Sequence, residues 1–446
     1  MRSTNHPLVS RGRTSLMVTV AVAVAAVSLA ACSSTSAGSS GTASGAPSTK
    51  EPAIPASAFQ DHTGLTPTSV TIGNVSTQTG GLFLGALVGT KAYAAYANST
   101  GGVNGRKIVV DGADDGYNNG ANNKALTTAD IAKDFAMVGS FSLNDAYGGT
   151  VLKANPSVPN VTVSLDEATN QLPNTFSPQP ANDGWELGPL VYFQKKYPAA
   201  VSHAAALVAN EPSAIAAFNG EKAAMNHLGY KVVYDPTFNI TQTDFTQNVV
   251  AMRNKGVKIL FIEQMPENYA SAVFKALDAQ NFHPVVVLGA STYSNALIPA
   301  SGGAAATDGA YLEQAASLYL GEDASAIPAV TTFQEWVQKA SPGFKPDLYT
   351  LYGWVSAELF AQALAKAGKN PSRGSELTAL RSITSFSGEN LLAPANPSAK
   401  IPAECYIIAT IVNGRFTRTN DSPINGPNHG YRCDQPYYYA NGKTAS

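Results

Sequence analysis

The side chains able to do chemistry are few, and their spacing excludes more than it offers. Six histidines occur, His6, His62, His203, His227, His283 and His429, and none stands at metal-ligand spacing from a Cys, Asp or Glu. No nucleophile elbow, phosphate loop or dinucleotide fingerprint is present. The run GADDG at 112–116 offers two adjacent carboxyls. It directly follows a strand pattern, where a turn or a helix cap is the simpler role. Catalysis is therefore disfavoured, and neither a cofactor nor a metal is expected.

The glycine-rich run TGGVNGRKIVV at 100–110 points the same way. A phosphate cradle needs a strand, then glycines, then a helix N-terminus. Here an apolar helical pattern at 83–99 precedes the glycines and a β-rich run follows them. Gly101 and Gly102 then close a helix, and Asn104-Gly105 turns the chain into a strand. An α-to-β connection is what an α/β fold requires.

Bulk properties narrow the class. A single core rarely exceeds about 250–300 residues, so 446 residues imply two domains. Charged residues are only 13% of the chain, the net charge is -2, and no basic patch occurs, so nucleic acid is not an expected partner. Arg2, Arg11 and Arg13 precede the apolar run at 16–31, which is short for a membrane span. LAAC at 29–32 resembles a bacterial lipobox, which implies cleavage before Cys32 and lipid on that cysteine. Cleavage removes three of the 29 basic residues and no acid, leaving 26 against 31 and a net charge of -5. A low-complexity stretch continues toward Pro67 and reads, over 32–67, as a flexible tether with a span of roughly 30–35 Å. Lipidating Cys32 leaves Cys405 and Cys433, which in an oxidising compartment most simply form one disulfide.

The elements that must position any site come in two series. Apolar β runs near 69–75, 107–110, 136–140 and 160–164 alternate with helical patterns. After a loop at 172–184 the alternation resumes, with β runs at 204–208, 230–235, 257–263 and 284–290. Near-continuous apolar runs of this kind suit buried parallel strands. The remaining helices and the β run at 404–414 read as returns that complete both halves. The expected fold is α/β, with two Rossmann-like lobes joined by a multi-segment hinge. The expected boundaries are 68–183 plus about 312–368 for the first lobe, and 184–311 plus about 369–446 for the second.

With those elements in place, VTIGNVSTQTG at 70–80, GGVNGRKIVV at 101–110, ADDG at 113–116 and AMVGSFS at 136–142 resemble, as an ordered set, a known family. It is the type I periplasmic solute-binding proteins of bacterial ABC importers, in particular the leucine/branched-chain amino acid-binding group. The resemblance implies capture of a small polar solute (an amino acid, amide or small carboxylate) between closing lobes. It also implies delivery to ABC permease subunits, with the protein held at the outer face of the cell membrane by its lipid. The alternative that stays open is a ligand sensor of the same fold signalling to a membrane partner.

In open α/β sheets, ligands sit beyond the carboxyl ends of the strands. Those positions nominate Thr77, Phe83, Ser142, Asn144, Ser164 and Asp166 in the first half, and Asn210, Glu263, Ser291 and Tyr293 in the second. Hydroxyls of Thr77, Ser142 and Ser164 would join backbone N–H groups in holding a solute carboxylate. Phe83 and Tyr293 would supply apolar walls. The family's acidic reader of a ligand ammonium falls near Ser291 here, and its tyrosine is missing from 210–214. Glu211, Glu263 and Asp166 are the acids available instead.

Overall fold

The computed structural model of the chain describes residues 51–444 apart from Asn118, Asn182, Gln264 and Ala440. The expected leader and the lipobox cysteine Cys32 lie outside these residues.

The first series begins with β1 (Ser69–Ser76), α1 (Leu84–Ser99), β2 (Lys107–Asp114), α2 (Gly120–Lys133) and β3 (Ala136–Val138). It continues with α3 (Asp145–Ala154), β4 (Asn160–Val161), α4 (Glu167–Asn170) and β5 (Thr175–Phe176). The five strands pair in parallel in the order β2-β1-β3-β4-β5. β1 and β2 are in register from Ser69–Lys107 to Ser76–Asp114, so the loops after them leave the sheet side by side. Between α1 and β2, Gly102 is left-handed at φ 78°, and a Cβ there would lie 2.0 Å from the Arg106 carbonyl oxygen. Only glycine fits, so the glycine-rich run is a helix stop and turn.

The second series opens with β6 (Gly184–Glu186), α5 (Leu187–Lys196), β7 (Ala204–Ala206), β8 (Val208–Ala209), α6 (Pro212–His227) and β9 (Val232–Tyr234). Next come β10 (Thr237–Phe238), α7 (Thr246–Asn254), β11 (Ile259–Ile262), α8 (Glu267–Ala279) and β12 (Val285–Leu288). Then follow α9 (Leu297–Ser301), α10 (Ala304–Thr307) and β13 (Tyr311–Gln314). Three helices, α11 (Pro328–Ala340), α12 (Leu348–Ala367) and α13 (Arg373–Arg381), precede β14 (Ile407–Val412), β15 (Arg415–Arg418) and β16 (Tyr437–Tyr439). The second sheet runs β15-β14-β13-β12-β11-β7-β9, parallel except where β14 meets β13 and β15. All four residues of β11 are buried, as strands covered on both faces must be.

The chain crosses between lobes at about 177–183, 315–327 and 384–406. The second and third crossings pair with each other: the Ser317 N–H donates to Leu391 O at 2.9 Å and the Ala393 N–H to Ala315 O at 2.8 Å. Cys405 and Cys433 form a disulfide that ties the end of the third crossing to the C-terminal loop.

α12 returns to pack on α1. A Cβ at Gly89 would lie 1.9 Å from the Thr350 carbonyl oxygen, and one at Gly353 would lie 2.0 Å from that of Ala86. The two backbones touch at this crossing, which leaves no room for a side chain.

Two boundaries differ from expectation. Residues 51–67 are not free tether, because they are folded against the first lobe. Asp61 pairs with Arg373 at 2.8 Å, Glu51 pairs with Arg381 at 3.1 Å, and Ala58 is buried. β13 extends the second sheet to Gln314 and α13 lies with the first lobe, so the returns fall later than 312 and 369. Arg373 fixes α13 there, donating to the carbonyls of Ile131, Asp134 and Phe135.

Candidate functional site

The loops that leave the strands' carboxyl ends form the candidate site. On the first lobe their chemistry centres on the ADDG run. Asp115 is fully buried and its carboxyl accepts from the Thr77 hydroxyl at 2.8 Å, the Asn123 amide at 2.7 Å, the Asn144 amide at 3.2 Å and the Ser142 hydroxyl. Thr77 accepts in turn from the Leu143 N–H, and Ser142 from the Asn144 N–H at 2.8 Å. Asp114 caps the loop after β1. Its carboxyl accepts from the N–H groups of Gln78, Thr79 and Gly116 and from the Thr79 hydroxyl at 2.7 Å. Burial opposes ionisation of Asp114, but these hydrogen bonds outweigh it and hold the group below its ordinary value.

Two further acids close the other loops of this lobe. Ser164 donates to Asp145 at 3.0 Å, as does the Leu165 N–H at 2.9 Å. Burial pushes the Asp145 carboxyl up to about 7 against these bonds. Asp166 caps α4 by accepting from the Thr169 N–H at 2.9 Å. Phe83 is buried edge-on to Phe141 and Tyr349, with ring centres 4.8 and 4.6 Å away. Leu82, Leu143, Val163, Leu165 and Tyr352 complete this apolar floor.

On the second lobe, Glu263 directly follows β11 and is 7% exposed. It hydrogen-bonds the carboxyl of Glu313 on β13, which requires a shared proton. Its other carboxyl oxygen, Oε2, is buried with no hydrogen-bond partner. Burial raises Glu263 well above the ordinary carboxyl range, and the neighbouring charges of Glu221, Glu313 and Glu186 add to it. Burial likewise raises Glu313 to about 8 and Glu186 to about 7. Of these four only Glu263 was nominated from sequence. A charged residue inside an apolar strand run, as in YLEQ at 311–314, is the signal that would have found Glu313.

The remaining nominees fall as follows. Ser291 donates to the carbonyls of Glu263 at 3.0 Å and Met265 at 2.9 Å, bracing the loop after β11. Tyr293 is 1% exposed, packs edge-on with Tyr319 and Phe416, and donates to Glu322 at 2.5 Å, so it belongs to the interior. The Asn210 side chain is exposed, and its backbone N–H donates to Phe238 O at 2.8 Å.

Groups of the two lobes approach across these loops. Behind burial, the charge of Glu211 and the phenol of Tyr269 raise the Tyr117 phenol, and Glu267 contributes to raising Tyr349. A separate cavity of about 640 Å³, lined by Ser325, Asn390, Asn428, His429 and Tyr431 among others, adjoins the second and third crossings and the C-terminal loop rather than the strand ends. Among the described residues, Asp111, Asp130 and Asp134 bring carboxyl oxygens within 4.8 Å of one another, and Lys133 is ion-paired to the first two. No helix among the described residues is long and apolar enough to cross a membrane.

This architecture has many solved counterparts. A branched-chain amino acid ABC transporter protein from Thermus thermophilus with bound valine is 16% identical, with 80% of this chain and 96% of that one aligned at a TM-score of 0.67. A fatty acid ABC transporter substrate-binding protein from Thermomonospora curvata is 16% identical, over 80% and 94%, at 0.64. The isoleucine complex of a branched-chain amino acid transporter substrate-binding protein from Streptococcus pneumoniae is 16% identical, over 78% and 98%, at 0.63. No curated protein sequence is significantly similar to the chain. The family model described as periplasmic binding protein matches residues 69–415, which include both sheets. The chain therefore belongs to the periplasmic binding protein family and carries its two-lobed type I α/β fold.

Proposed function

We propose that the protein is the substrate-binding lipoprotein of an ABC importer. It captures a small polar solute between its lobes and delivers it to the permease subunits. The observation that carries this reading is the pair of strand-end loop sets, on two separate parallel sheets, joined by three crossings. A solute seated there touches both lobes only when they close, so its binding energy favours the closed form. The transporter-associated relatives above, two of them with bound amino acids, support the transport role.

Lipid on Cys32 would keep the folded part at the membrane by way of the preceding low-complexity stretch. Cys32→Ala should move the protein from the membrane fraction into the medium, and membrane retention would contradict the anchor. Capture is tested by thermal shift against amino acids, amides, amines and small carboxylates. A true solute at a hundred times its Kd stabilises by about 2.7 kcal/mol. Silence across the whole panel would contradict capture.

A further inference from the structure

The cleft is built against anions. A hydroxyl has one proton to donate, and those of Thr77 and Ser142 go to Asp115, that of Ser164 to Asp145, and that of Ser291 to main-chain carbonyls. The backbone N–H groups of Gln78, Thr79 and Gly116, which would otherwise form an anion nest after β1, already meet Asp114. Four helix N-termini facing the loops carry their own acids, Asp145 on α3, Asp166 on α4, Glu267 on α8 and Asp347 on α12, while those of α1 and α6 have no side-chain cap. The protein's own carboxyls thus take most of the places that would receive a solute carboxylate.

The strand-end loops supply no cation to compensate. The loops at 77–83, 115–119, 139–144, 162–166, 210–211, 239–245, 263–266 and 289–296 contain no Lys, Arg or His, although the whole chain has 29 Lys and Arg against 31 acids. Lys345 is exposed before α12, and Lys400 donates to the carbonyls of Asn170 and Thr175. An anionic group brought into this cleft would be desolvated beside carboxyl groups with no cationic partner. A cation meets the reverse: the partnerless buried oxygen of Glu263, and Glu211 and Glu267 near the opposite lobe's tyrosines.

We propose that the solute is a small organic cation without a carboxylate, held through its ammonium group by Glu263. This rests on the cleft being the solute site, and it narrows the solute to a class that excludes zwitterionic amino acids and fatty acids.

Titration calorimetry and thermal shift on the intact mature protein test it, with putrescine, tetramethylammonium, L-leucine, acetate and octanoate as probes. The expected result is saturable binding of putrescine or tetramethylammonium and none of the three carboxylates. Glu263→Gln should weaken putrescine at least about tenfold, the worth of a hydrogen bond to a charged group. Glu335→Gln, on the outer face of α11, should leave it unchanged. Should Glu263→Gln melt early without ligand, Glu267→Gln serves as the second variant and should also weaken the cation. Binding of L-leucine or octanoate with silence from both cations overturns the proposal and leaves capture standing. Silence from all five overturns the proposal, and capture then stands or falls on the wider panel above. Cation binding that neither glutamate substitution weakens overturns it as well.

Discussion

Four donors converge on the Asp115 carboxyl from two different loops and helix α2. Asp115→Ala would strand buried hydroxyl and amide donors, each costing about 1–3 kcal/mol. We expect at least about 2 kcal/mol of lost stability in urea unfolding, and an unchanged midpoint would contradict the network. The second-lobe acids make stability depend on pH. Glu313 at about 8 and Glu186 at about 7 lie above their ordinary 4.5, so the folded chain holds more protons than the unfolded one between those values. Their contribution is fully present below about pH 4.5 and is lost as pH rises toward 8. Asp145 at about 7 adds in the same direction. The thermal midpoint of the ligand-free protein should therefore fall between pH 5 and pH 8, and a midpoint that rises over that range would contradict the buried acid cluster.

At the scale of elements, Arg373 shows how one side chain assigns a helix to a lobe. Its guanidinium is 5% exposed, and it bridges α13 to Asp61 and to three carbonyls at the end of α2 and the start of β3. Arg373→Ala should cost about 2–4 kcal/mol, because it strands the carbonyls that the guanidinium meets and unpairs the partly exposed Asp61. Arg373→Lys should recover only part of this, because an ammonium cannot reproduce the fork. A loss below 1 kcal/mol in denaturant unfolding would contradict that role. The same residue marks what sequence could tell. The alternation of apolar β runs with helical patterns was legible because both periods are local, and so were Thr77, Ser142 and Asn144 as residues just past strand ends. The attachment of α13 was not, since Arg373 and Asp61 are 312 residues apart. Nor was the occupant of the Thr77 and Ser142 hydroxyls, which comes from 38 and 27 residues away. β13 was missed because four residues carry too little period, although its Glu313 stands out within an apolar run.

At the scale of the molecule, two separate sheets are joined by three crossings of the chain, two of which pair with each other at 315–317 and 391–393. Buried aromatic packing from Tyr293 through Tyr319 and Phe333 to Trp354 runs past this joint, so a bend would be absorbed by the crossings and by that contact rather than by either sheet. In the proposed binding mode, a guest that pairs with Glu263 would satisfy an oxygen that is otherwise buried without a partner, and this would favour closure. Function on this account is a change of shape driven by occupancy. Small-angle X-ray scattering of the mature protein, alone and saturated with whichever probe stabilises it, measures that change directly. The account predicts a smaller radius of gyration and maximum dimension on saturation. Superimposable profiles at full occupancy would contradict it.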